Sequence, residues 1–160
     1  MFSPVNISYY NISSCGKRIT KSADGWQQSV YMNKFVYETP TFSVKVIRDP
    51  SHWLFVGIAL DAPASHLTGA MWKTGYCIKT AFGEHYGENA TVWYYTMNAN
   101  ILEGQTVTVQ VDVAAKTIAY KVNGNSTGNT KFLNLTDSQM LQLRPVVSIY
   151  YLGDIVQIVP

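Results

Sequence analysis

The 160-residue sequence predicts one all-β domain, an antiparallel β-sandwich built from two sheets. Three observations carry that prediction. Apolar and polar residues alternate with a period of two in several segments, as strands with one buried face require. Gly, Asn, Asp and Pro separate those segments with turn chemistry. Only residues 137–143 are weakly helical, and Pro145 follows too closely to allow more than a short turn.

The elements follow in chain order. Residues 1–25 are the least patterned and read as an arm packing on the body, with 26–160 as the sandwich proper. A first strand is expected over 28–33. In Phe42-Ser43-Val44-Lys45-Val46 the apolar residues alternate cleanly, and Asp49-Pro50-Ser51 turns the chain into the next strand. There Leu54, Val56, Ile58 and Leu60 share one face. Two further strands are expected over 75–82 and 91–96. Val107, Val109, Val111 and Val113 oppose Thr106, Thr108, Gln110 and Asp112. The turn Ala114-Ala115-Lys116 leads to a partner strand carrying Ile118, Tyr120 and Val122, which ends at Asn123-Gly124. Strands over 146–152 and 155–159 flank a Gly153-Asp154 turn.

Composition narrows the function. Charged residues make up 14% of the chain, against about 25% in ordinary globular domains. Hydrophobic residues reach 47% and aromatic residues 13%, so part of the surface is expected to be apolar or aromatic. Twelve basic and ten acidic residues give a net charge of +2, too balanced for a nucleic-acid surface. Lys17, Arg18 and Lys21 read as a solvated basic arm. No apolar run approaches the ~18 residues of a membrane span, and the start MFSPVNISYYNISS lacks the pattern of a secretion signal. A cytoplasmic protein with no membrane partner is the expectation. The Asn-x-Ser/Thr triplets at Asn6, Asn11, Asn89, Asn125 and Asn134 then read as chance. Spacing alone does not pair Cys15 with Cys77; they read as a loosely placed thiol and a buried strand thiol.

Catalytic patterns are missing, so no catalytic residue, cofactor site or metal site is expected. The histidines are His52, His66 and His85, and no Gly-x-Ser-x-Gly elbow or phosphate-cradling glycine run occurs. The densest polar cluster, Gly83-Glu84-His85-Tyr86-Gly87-Glu88, reads as a solvated loop more readily than as a ligand site. The remaining acidic residues are scattered singly, unlike the facing pair of a glycosidase.

Four segments resemble SPRY domains. Phe42-Ser43-Val44-Lys45-Val46 resembles an early strand of that family, and Phe55-Val56-Gly57-Ile58-Ala59 the strand after it. The stretch from Glu103 to Asp112, then Ile118-Ala119-Tyr120-Lys121-Val122-Asn123-Gly124, resembles its hairpin. Leu143-Arg144-Pro145-Val146-Val147-Ser148-Ile149-Tyr150-Tyr151 resembles its late strand. Gly104-Gln105 replaces the family's usual Gly-Asp, and the segment from Gly128 to Leu135 is longer than the usual pattern. The resemblance implies two curved antiparallel sheets that dock a protein or peptide through loops and one exposed sheet face.

The aromatic residues supply candidate anchors. If Leu54, Val56 and Ile58 face the core, Trp53 and Phe55 lie on the opposite face, which is either an open binding face or covered by the arm or a loop. Trp93-Tyr94-Tyr95 cannot all point inward, and Trp72 sits beside Gly69 in an expected loop. Trp53, Phe55, Trp72, Trp93 and Tyr94 are therefore the expected partner-binding residues, since Trp and Tyr dominate binding hot spots. Loops at 65–74 and 83–88 would add shape and polar contacts. Trp26 reads instead as a core anchor for the N-terminal segment. The expected function is non-catalytic protein or peptide recognition. A glycan-binding lectin and a structural docking domain of a large assembly are the alternatives.

Overall fold

The computed structural model describes residues 1–3, 8–26, 29–61, 75–87, 91–95, 99–128 and 130–160, with 91–95 described as backbone alone. The strands are β1 (Tyr10–Ile12), β2 (Arg18–Lys21), β3 (Val30–Tyr31), β4 (Thr41–Arg48), β5 (Leu54–Leu60), β6 (Tyr76–Lys79), β7 (Glu84–Gly87), β8 (Thr91–Tyr95), β9 (Thr106–Asp112), β10 (Thr117–Val122), β11 (Asn125–Ser126), β12 (Lys131–Phe132), β13 (Leu143–Ile149) and β14 (Ile155–Val159). One short helix, α1 (Asp137–Met140), precedes β13. Among the described residues no helix is long and apolar enough to cross a membrane.

Two antiparallel sheets form the predicted sandwich. The larger runs β1-β2-β14-β4-β9-β10-β11, with β12 also on β10; the smaller runs β3-β13-β5-β6-β7-β8. Register follows the alternation read from the sequence. Phe42 pairs with Val109 and Val44 with Val107, and all four side chains are buried. Their polar neighbours face outward, where the Ser43 and Thr108 hydroxyls hydrogen-bond at 2.7 Å. Between the sheets, Val44, Val46, Leu54, Val56, Ile58, Val107, Val109, Ile118 and Val147 belong to one apolar core. Fully burying such a side chain is worth about 1.5–3 kcal/mol, so this core dominates the fold's stability.

The turns are built as their residues require. Asn123 and Gly124 take φ of 49° and 80°, the left-handed pair that joins β10 to β11. At the β9–β10 turn the Ala115 amide donates to the Asp112 carboxylate at 2.8 Å. Helix α1 starts on a Thr136–Gln139 capping box.

Several elements differ from the sequence reading. The N-terminal segment contributes two strands: β2 pairs with β14 and carries β1 on its outer side. The expected loop at 83–88 is strand β7 from Glu84 to Gly87, paired with β6 and β8. Its inward residue is a histidine, so hydrophobic alternation could not expose it. The expected strand at 146–152 runs instead from Leu143 to Ile149, and Tyr150–Gly153 form a turn. The Trp53 strand begins at Leu54, which leaves Trp53 in the preceding loop. Cys15 is exposed, Cys77 is buried, and both thiols are free.

Candidate functional site

β5 shows two faces, as its parity dictates. Leu54, Val56 and Ile58 enter the main core, while Phe55 and Ala59 join Tyr31, Cys77 and Val146 on the outer face of the smaller sheet. That outer face is covered at Phe55, which is only 2% exposed. Trp26 lies over it with ring centroids 5.5 Å apart, and Tyr86 from β7 meets its other side at 5.6 Å.

Trp53, one residue before β5, stays 40% exposed. Its indole stacks on Trp26 at 6.0 Å with 26° between the planes. Tyr150 and Tyr151 meet it edge-on at 5.8 and 6.4 Å. The Lys79 ammonium sits 4.5 Å above the Trp53 ring and 5.7 Å from Phe55. The result is a continuous aromatic group, floored by Phe55, carrying the Lys79 cation, and open at Trp53. Leu152 extends it in sequence and is 58% exposed.

The two loops that carry these rings are rooted in carboxylates. The Trp53 amide donates to Asp49 Oδ1 at 3.2 Å, and His52 between them takes φ of 56°. The Leu152 amide donates to Asp24 at 2.8 Å. Asp49 and Asp154 are both sealed from solvent and lie within hydrogen-bonding reach of each other. Arg48 contacts Asp154 at 3.4 Å. Burial and the Asp49 charge push Asp154 up to about 7, and burial raises Asp49. Because neither carboxyl reaches solvent, the pair does not flank a substrate cleft in the manner of a glycosidase.

Glu84 and His85 diverge. His85 is fully buried, touches the Tyr120 ring at 4.7 Å, and has its Nε2 3.2 Å from the Thr127 hydroxyl. Burial lowers its pKa to about 4, so it is neutral at pH 7. Glu84 accepts instead from the Tyr86 hydroxyl, and this strand gathers no ligand set. Among the described residues no group of three His, Cys, Asp or Glu could hold a metal. A separate cavity of about 390 Å³, lined in part by Met32, Phe42, Pro145 and Ile158, shares no residue with the aromatic group.

Of the expected anchors, Trp53 and Phe55 are brought together, one exposed and one beneath. Trp93 and Tyr94 lie in β8, the edge strand of the same sheet, where Tyr94 is opposite His85 and the register shift skips Trp93. Trp72 and the loop at 65–74 lie outside the described residues. Trp26, read from sequence as a core anchor, is partly exposed and belongs to the aromatic group. Tyr150 and Tyr151, expected at the end of a strand, lie in the turn that follows β13. One signal pointed to Tyr150: it has the parity of Val146 and Ser148, whose partners on β5 are Gly57 and Phe55.

No protein-family model matches the chain. No curated protein matches it either. Solved structures do. A human SPRY domain superposes with a TM-score of 0.75 at 14% identity, covering 99% of this chain and 96% of that one. The SPRY domain of human HERC1 gives 0.67 at 16% identity, covering 93% and 91%. The PSpry domain of TRIM65 gives 0.67 at 10% identity, covering 95% and 84%. The two sheets, their strand order and these superpositions together establish that this chain has the SPRY-domain fold.

Proposed function

We propose that the chain is a non-catalytic recognition module that docks a protein or peptide on the Trp26–Trp53–Tyr150–Tyr151 surface. The observation that supports it most is Trp53, 40% exposed yet held between three other aromatic rings and Lys79. Such a ring presents a large contact area with little side-chain entropy left to lose on binding. Phe55 acts from beneath as the floor that fixes Trp26. The fold shared with SPRY domains agrees with this role. Trp93 and Tyr94, in β8 of the same sheet, are proposed as further anchors, as is Trp72.

Affinity capture from a source lysate tests the reading, comparing wild type with Trp53→Ala after both are shown to fold by circular dichroism and thermal melting. A protein held by wild type and lost by the folded variant supports it. Equal capture by both assigns binding to another surface, with Trp72 and Trp93 next. A sugar retained on a glycan array, with no protein captured, replaces the docking reading by a lectin.

A further inference from the structure

The buried carboxyls of Asp49 and Asp154 lie at the roots of the two turns that carry the aromatic surface. Asp49 lies at the root of the turn bearing Trp53 and accepts its amide hydrogen. Asp154 follows directly the turn bearing Tyr150, Tyr151 and Leu152, and its own amide donates to the Tyr151 carbonyl at 3.2 Å. The two residues are 1% and 0% exposed, the Oδ2 atom of each is buried with no hydrogen-bond donor to meet it, and the two carboxyls lie within reach of each other. A carboxylate only accepts, so a hydrogen bond between two carboxyls requires one shared proton. Two like charges at this spacing away from water cannot both persist cheaply.

The surrounding charges fit one anion, not two. Arg48 from β4 is the cation in contact, and its side chain is half exposed. Glu103, before β9, adds a further negative charge and accepts the Asp49 amide at 2.9 Å. His52 has a buried Nδ1 without a partner. Lys21 of β2 meets Asp154 through its backbone, while its ammonium lies over the Tyr10 ring at 4.2 Å and its charge is drawn to Asp24. Thr80, at the end of β6, offers Asp49 a neutral hydroxyl.

We propose that the Asp49–Asp154 pair is a proton-linked latch: with one shared proton it clamps the Trp53 turn to the Tyr150–Leu152 turn, and loss of that proton loosens both. Loss leaves a second buried anion beside Glu103, which Arg48 alone does not offset, and the turns relax toward water. The stacking of Trp53 on its neighbours then changes with pH. The value of this for partner binding rests on the docking reading above; the latch itself does not, and it is measured without any partner.

Carbon-detected NMR of the side-chain carboxyls, followed with the Trp53 indole resonance, tests it. The Asp154 carboxyl is expected to titrate with a midpoint at about 7, instead of near its ordinary value of 3.8, and the Trp53 indole to shift with the same midpoint. In Asp154→Asn, which keeps a neutral side chain at all pH values, the Trp53 shift disappears. In Asp49→Asn the Asp154 midpoint falls, because the competing charge is gone. An Asp154 midpoint in the ordinary carboxylate range overturns the latch. A Trp53 titration that persists in Asp154→Asn also overturns it, because the proton that moves the ring then lies elsewhere. Failure of partner capture in the earlier assay leaves these readouts untouched, so the two ideas fail separately.

Discussion

Trp53 and Phe55 are two residues apart in the chain and face different fates when truncated. Trp53 is 40% exposed and makes its contacts by stacking on Trp26, edge-on with Tyr150 and Tyr151, and with Lys79. Trp53→Ala is expected to lower stability by about 1 kcal/mol or less, since it leaves no core cavity. A captured partner is expected to lose at least ~30-fold in affinity, the scale of a hot-spot tryptophan. Phe55→Ala empties a buried site beneath Trp26 and is expected to cost about 3–5 kcal/mol. Urea denaturation of the two variants separates these outcomes. His85 gives a third residue-scale prediction. Its folded pKa, about 4, lies below the unfolded 6.5. Between those values the unfolded chain binds the extra proton, so His85's share of stability is complete above 6.5 and is lost as pH falls toward 4. Replacing it by Phe is expected to remove that acid-side loss, read as a smaller change in urea midpoint between pH 7 and pH 4.5 than in wild type.

Strand pairing sets where these residues stand. Gly57 in β5 faces Cys77 of β6, and a Cβ built there would meet the Tyr76 carbonyl oxygen at 2.0 Å and Cys77 Cα at 2.6 Å. Backbone cannot move aside as a flexible side chain does. Gly57→Ala is therefore expected to force β5 from β6 at a cost of about 3 kcal/mol or more, and to displace Lys79 from Trp53. Thermal melting and Trp fluorescence check both effects. The same strands show what sequence could reveal. β4, β9 and β10 were legible because one face carries Val, Ile and Phe and the other Ser, Thr, Lys and Gln. β7 was not, since its buried residues are His85 and Gly87. β1 and β2 were not, because they are short and β2 buries a lysine, Lys21, as part of its inward set. Parity alone places Trp53 on the Phe55 side of β5, but it does not show that Trp26 roofs Phe55. That contact joins residues 29 positions apart in sequence through sheet packing.

At the scale of the molecule, the sandwich brings four distant segments to one surface: Trp26, Trp53, Lys79 and the Tyr150–Tyr151 pair. Their assembly depends on sheet order β13-β5-β6, which no single segment encodes. Two titrating groups act on the whole fold in opposite senses. Asp154 has its folded pKa, about 7, above the unfolded 3.8, so its contribution is complete below 3.8 and is lost as pH rises through 7. His85 loses its contribution in the acid direction. Asp154→Asn is expected to hold its stability on going from pH 5 to pH 8 better than wild type does, and the His85 variant to differ from wild type only on the acid side. Melting curves across that range check the pair.

The aromatic surface is the proposed docking site for a partner. The most direct measurement is an amide and indole NMR map of the isotope-labelled chain titrated with the captured partner. The largest shifts are expected at Trp26, Trp53, Lys79, Tyr150, Tyr151 and Leu152, with the outer face of β4, β9 and β10 unmoved. Shifts concentrated on that larger sheet, with the Trp53 indole unchanged, would contradict it.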